Sequence, residues 1–259
     1  MASPILTLGA LAFTGWDVLL IVAVAVHATA LAYVPQPRWK AFLLTLPVPF
    51  TLASLSLGLS VSASNVLGLL LLFGYAVGVY ALHSRLRVPI VAAIVLCAAG
   101  YCLAASALAP RLSGGDAAFW ISAAAVCVFA VVLLRLMPHR DEPSHRSPLP
   151  VYLKLPLIAL VIVALVIIKK HLQGFMALFP MVGVVASYEG RFCLWTLTRQ
   201  MPVIMLTLLP MMAVMRVAYP LVGLGWALAA GWVVFVLILA LLTRRQWAEQ
   251  ALEEAAAVE

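Results

Sequence analysis

The chain alternates between long apolar runs and short polar breaks. The runs span approximately 17–34, 40–60, 65–83, 88–109, 117–137, 151–168, 173–188, 193–215 and 220–243. Most approach the ~20 residues that an α-helix needs to cross a ~30 Å hydrocarbon core. Every backbone donor and acceptor at that depth must be satisfied by protein, so helices are expected. The roughly ten-residue alternation of a transmembrane β-barrel does not occur. The pattern predicts an all-α, polytopic membrane protein with about nine transmembrane helices. Residues 138–150, PHRDEPSHRSPLP, form the extended hydrophilic linker, because its four prolines and mixed charges suit neither a helix nor lipid.

Two apolar runs carry a central proline and read as copies of one another. Setting Pro47 in AFLLTLPVPFTLAS (41–54) against Pro180 in GFMALFPMVGVVASY (174–188) aligns Phe42 with Phe175, Ala53 with Ala186 and Ser54 with Ser187. Further on, RLRVPIV (85–91) faces RVAYPLV (216–222), and AAGY (98–101) faces AAGW (229–232). The later matches keep an offset of 131 residues and the proline match one of 133, so a two-residue gap separates them. An internal duplication follows. Residues 1–110 form a first four-helix repeat, 111–150 a linking helix and polar loop, 151–245 a second four-helix repeat, and 246–259 a tail helix. With an unpaired fifth helix between them, the two repeats enter the membrane in opposite directions. A 4+1+4 arrangement of inverted repeats, with proline-broken helices near the midplane, is a recurring plan of secondary transporters.

Composition sharpens the class. Hydrophobic residues make up 66% of the chain and charged ones 10%, against about 25% charged in a soluble domain. Nine runs leave no room for a soluble domain. The net charge of +7 sits in clusters between apolar runs, where it orients the protein and meets anionic lipid rather than nucleic acid. Arg38, Lys40, Arg85, Arg87, Arg140, Arg146, Arg191, Arg244 and Arg245 fall on one side, and Arg111, Lys169, Lys170 and Arg216 on the other. The richer side is cytoplasmic by the positive-inside rule, giving an outside N-terminus and a cytoplasmic C-terminus. The first residues lack the basic region of a cleaved signal and read as retained. Cys97, Cys102, Cys127 and Cys193 lie in apolar runs without metal-ligand spacing.

Residues 151–245 resemble the GlpM-like family of small bacterial inner-membrane proteins, through Gly174, Leu178-Phe179-Pro180, Tyr188, Arg199, Pro210 and Pro220. Residues 16–110 match more weakly, through Leu46-Pro47 and Arg87-Val88-Pro89. The resemblance implies a fused, inverted pair of four-helix units in the bacterial inner membrane. It supplies a fold rather than a substrate.

Candidate chemistry is sparse. Pro47, Pro49 and Pro180 free carbonyls about one turn earlier, around Leu43, Thr45 and Met176, and such backbone persists at depth where it lines a cavity or faces protein. Ser54 and Ser187 occupy equivalent positions beside these breaks. Arg199 is the best intramembrane charge; Glu189 with Arg191 or Arg199 either forms a pair, binds an anionic group and a proton in alternation, or marks a cytoplasmic turn from which Arg199 snorkels to the headgroups. Asp17 reads as a helix-start residue if the helix begins at Trp16 and as a proton-carrying carboxylate if it begins near Ile5, His27 as bonded to a neighbouring carbonyl or serving a proton relay, and Gly114-Gly115-Asp116 as a turn with a helix cap. Neither cofactor nor metal is expected, and scattered histidines give no enzyme centre. The functional expectation is a transporter or flippase for a small or lipid-linked solute, working by alternating access. Its site would comprise Pro47, Pro49, Ser54, Pro180, Ser187, Glu189, Arg191, Arg199 and Arg216, the cations favouring an anionic substrate. A non-transporting membrane subunit of a larger complex is the alternative. Membrane lipids are expected partners, and self-association or a membrane partner protein is compatible with the tail helix.

Overall fold

The computed structural model describes residues 6–8, 11–13, 15–58, 60–112, 115–145, 150–169 and 173–256. The first five residues, Gly114, Arg146 and Lys170, which entered the sequence reading, lie outside them. Two three-residue strands, β1 (Leu6–Leu8) and β2 (Leu11–Phe13), pair antiparallel. The rest of the architecture is helical. In chain order it comprises α1 (Gly15–Tyr33), α2 (Pro37–Thr45), α3 (Val48–Leu57), α4 (Ala63–Tyr80), α5 (Ile90–Leu108), α6 (Asp116–Leu136), α7 (Val151–Lys169), α8 (Met181–Glu189), α9 (Leu194–Arg199) and α10 (Met201–Ala256).

Among the described residues, five helical stretches are long and apolar enough to cross a membrane: Gly15–Tyr33, Ala63–Arg85, Ile90–Arg111, Asp116–Leu136 and Leu194–Ala248. All nine apolar runs fall on helical structure, but not as nine uninterrupted helices. Run 40–60 is cut at Leu46, whose ψ of 126° is extended, and α3 starts again from Pro47. Run 173–188 begins as a 3-10 turn, Gln173–Leu178, and resumes as α8 only after Pro180. Both cuts sit at a proline because the ring removes a donor and its predecessor leaves helical angles.

The last two runs are joined. Leu194–Ala248 counts 55 residues, about 80 Å if straight and more than twice the hydrocarbon thickness. Gly223 breaks it at φ 77°, ψ 171°, angles that only glycine adopts readily. Residues 211 and 231 would be about 30 Å apart in a straight helix, yet a methyl on Gly231 would meet Met211 and Met215 side chains at 3.0 and 3.2 Å. The two arms of α10 therefore fold back on each other. The earlier reversal, between α4 and α5, likewise uses a positive-φ residue, Arg87 at 55°.

Polar contacts define the two ends of the bundle. At one end Ser56 donates to Asp17, and Arg216 reaches Val61 and Asp116. At the other gather Lys40, His145, Lys154 and Glu189, with Arg140 against Tyr80 and Trp195. Between the ends lie two apolar clusters. One joins α1, α5, α7 and α8 around Leu20, Val24, Ile162 and Met181. The other joins α4, α6 and both arms of α10 around Val66, Val126, Met205 and Phe235.

Candidate functional site

The two proline breaks meet across a cavity of about 80 Å³. From the first half it is lined by the α2–α3 break (Thr45, Leu46, Pro47, Pro49, Phe50) and by Leu72, Tyr75 and Ala76 of α4. From the second half come the break around Pro180, then Ala186 and Ser187 of α8, and Leu194, Leu197 and Thr198 of α9 with the start of α10. Each half thus contributes its broken element and the helix that follows. A water needs roughly 10–15 Å³ by this measure, so the cavity holds several waters or a small polar group. A larger solute requires the breaks to move.

The carbonyls loosened by the breaks are taken up by side chains from neighbouring helices. Leu43 lies four residues before Pro47, and its carbonyl accepts from His27 Nε2 at 2.8 Å as well as from the Leu46 amide. Near the second break, the Phe175 carbonyl accepts from Tyr101 Oη at 3.0 Å. Tyr75 Oη donates to Ser187 Oγ at 3.4 Å on the cavity wall, both residues being buried. Thr198 Oγ1 donates to Leu194 O at 2.8 Å. The hydroxyls of Thr45, Tyr75, Ser187 and Thr198 are the polar side-chain groups of an otherwise apolar chamber.

Four of the nine predicted site residues, Pro47, Pro49, Pro180 and Ser187, line this cavity. Ser54 is buried in α3 away from it. Ser187, which aligns with it in sequence, stands on the cavity wall, where Tyr75 of α4 donates to it. The charged candidates stand elsewhere. Glu189 is paired with Lys154 at 2.6 Å rather than with either arginine. Arg191 is half-buried and lies over the Tyr188 and Phe192 rings. Arg199 donates from Nε to the Met137 carbonyl at 3.0 Å, and Arg216 belongs to the opposite end. Among the described residues, no cation lines the cavity. Within that stretch Gly115 holds the N-cap position of α6, and Asp116 in the first turn binds Arg216.

Sequence reading missed a buried ionic cluster. Lys40, Lys154 and Glu189 are 0%, 3% and 4% exposed. Lys154 Nζ sits between Glu189 Oε2 and the face of Tyr33, 5.5 Å from the ring centre. Lys40 Nζ donates to the carbonyls of His145 at 2.7 Å and Glu189 at 3.2 Å. The available signal was Lys154, a lysine three residues into an apolar run. Burial, and then the positive charges of Arg191 and Lys40, pull the His145 imidazole below its ordinary range.

Above α9 lies a polar cleft lined by Arg38, Arg140 and Arg199, with His139, Glu142, Thr196, Gln200 and Trp247. Cleft and cavity are separated by α9 and by one buried bond, Gln200 Nε2 donating to Thr45 Oγ1 at 2.7 Å. Thr45 faces the cavity and Gln200 the cleft.

No protein-family model, curated protein or solved structure matches this chain.

Proposed function

We propose that this protein is a membrane transporter or flippase, built from two inverted four-helix repeats joined by α6, that moves a small or lipid-linked solute by alternating access. The cavity between the two proline breaks is the observation that carries this reading. Its walls come from corresponding elements of both halves, and non-helical backbone at membrane depth is tolerated where it lines such a cavity. The 4+1+4 plan is supported by the order of elements. Each half runs as a helix, an element broken at proline, and then two long arms joined by a positive-φ reversal. Fused GlpM-like units in the bacterial inner membrane, with the N-terminus outside and the C-terminus cytoplasmic, belong to the same proposal.

The chamber itself favours a largely apolar moiety with a small polar group, held by Tyr75, Ser187, Thr45 and Thr198. An anionic headgroup would meet its cations in the cleft, at Arg38, Arg140 and Arg199, before the rest of the molecule enters the cavity.

The test is accessibility labelling on a cysteine-free background in sealed vesicles. Ser84→Cys and Ala218→Cys should react with an impermeant thiol reagent from opposite faces, and Ser187→Cys in the cavity from both. If Ser84→Cys and Ala218→Cys share a face, the inverted arrangement is wrong. If Ser187→Cys is reached from one face only, alternating access is wrong.

A further inference from the structure

The geometry points to a latch: residues 138–145 hold α9 closed between the arginine-lined cleft and the cavity, and must leave α9 before a solute passes. This rests on the transport reading above. Residues 137–145 have no regular structure, yet they are pinned at many points. Glu142 accepts from the Trp195 amide at 3.1 Å, and from the Thr196 amide and hydroxyl at 2.6 Å each. Trp195 Nε1 donates to the Pro138 carbonyl. Arg140 donates to Tyr80 Oη and lies 4.1 Å from the Trp195 ring centre. The far end of the strap is fixed to the first half, where the His145 amide donates to Pro35 O and Lys40 donates to His145 O. The strap therefore ties the α1–α2 turn and the end of α4 to α9.

What it ties down is a short wall. α9 has six residues, bounded by the Gly190–Cys193 turn and by Gln200. Thr196 and Arg199 face the cleft, whereas Leu197 and Thr198 face the cavity. Moving this one piece, with loss of the Gln200–Thr45 bond, joins the two spaces. Release strands no amide in a dry place, because the Trp195 and Thr196 amides then open to the water of the cleft. Segments held this way, by bonds that water can replace, belong to the low-stability end of a fold.

The experiment measures the labelling rate of Ser187→Cys by a membrane-impermeant thiol reagent applied from each face, in cysteine-free protein reconstituted in vesicles. Glu142→Ala should raise the rate from the strap face about tenfold, the equivalent of about 1.4 kcal/mol of docking. Arg140→Ala loosens the strap without touching the α9 cap and should give a smaller rise on the same face. Both variants should leave the rate from the opposite face unchanged. Strap-face rates within about twofold of the parent in both variants would overturn the latch, as would equal rises from both faces, which signal a loosened helix rather than an opened gate. The latch and the transport reading fail separately: unchanged rates with two-sided access remove the latch alone, whereas single-sided access in the parent removes alternating access.

Discussion

At one end of the bundle, Lys154 and Glu189 meet at 2.6 Å with side chains 3% and 5% exposed. At the other, Arg216 holds Asp116, whose side chain is 78% exposed. Both pairs join distant parts of the chain, and formally they are the same interaction. Solvent makes them different. The exposed pair gains little over its hydrated partners and is screened by salt. The buried pair has given up its hydration, so each member depends on the other, and Lys40 beside it depends on two main-chain carbonyls. Burial of its charges fixes the strap end electrostatically, whereas the ion pair at the opposite end opens to solvent. On the proposed transport reading, movement at the strap end shifts α9 and the strap and leaves the ionic cluster intact.

The comparison breaks most sharply at Glu189. Glu189→Ala leaves Lys154 and Lys40 buried with no carboxylate and should destabilise the protein by about 3–5 kcal/mol, read as a fall in the unfolding midpoint in mild detergent. Combining Glu189→Leu with Lys154→Met should recover most of that loss, within about 1–2 kcal/mol of the parent. A single-site loss below about 1 kcal/mol would mean that the cluster is hydrated and that the two ends are alike. Next in size is the second proline break. Tyr101→Phe removes the hydroxyl that satisfies the Phe175 carbonyl, at a cost of about 1–3 kcal/mol. An unchanged midpoint would show that the carbonyl finds another donor. The smallest effect is expected at the exposed end, where Arg216→Ala should cost at most about 1 kcal/mol and less at high salt. A loss as large as that of Glu189→Ala would erase the distinction.

How much was legible beforehand varied with the range of the interaction. The prolines announced both breaks, since a missing donor and a constrained neighbour are properties of the residue itself. Pro47, Pro49, Pro180 and Ser187 follow from that local chemistry and line the cavity. Glu189, Arg199 and Arg216 were recognisable as charges near apolar runs, but their partners lie far along the chain, at Lys154, Met137 and Asp116. The linker read only as polar and irregular, and nothing local to it reveals that Glu142 caps α9.

Local chemistry along the chain dictates that it forms apolar helices, where two of them break and that the breaks resemble one another, because helix length, apolar burial and proline geometry act within a few residues. Long-range packing brings the breaks face to face across one cavity, folds α10 back at Gly223 and places two lysines around one buried glutamate. Those outcomes depend on which faces of uniformly apolar helices pack together. When almost every position is hydrophobic, the pattern along the chain no longer marks an inside, and the few polar partners that fix the packing stand tens to over a hundred residues apart.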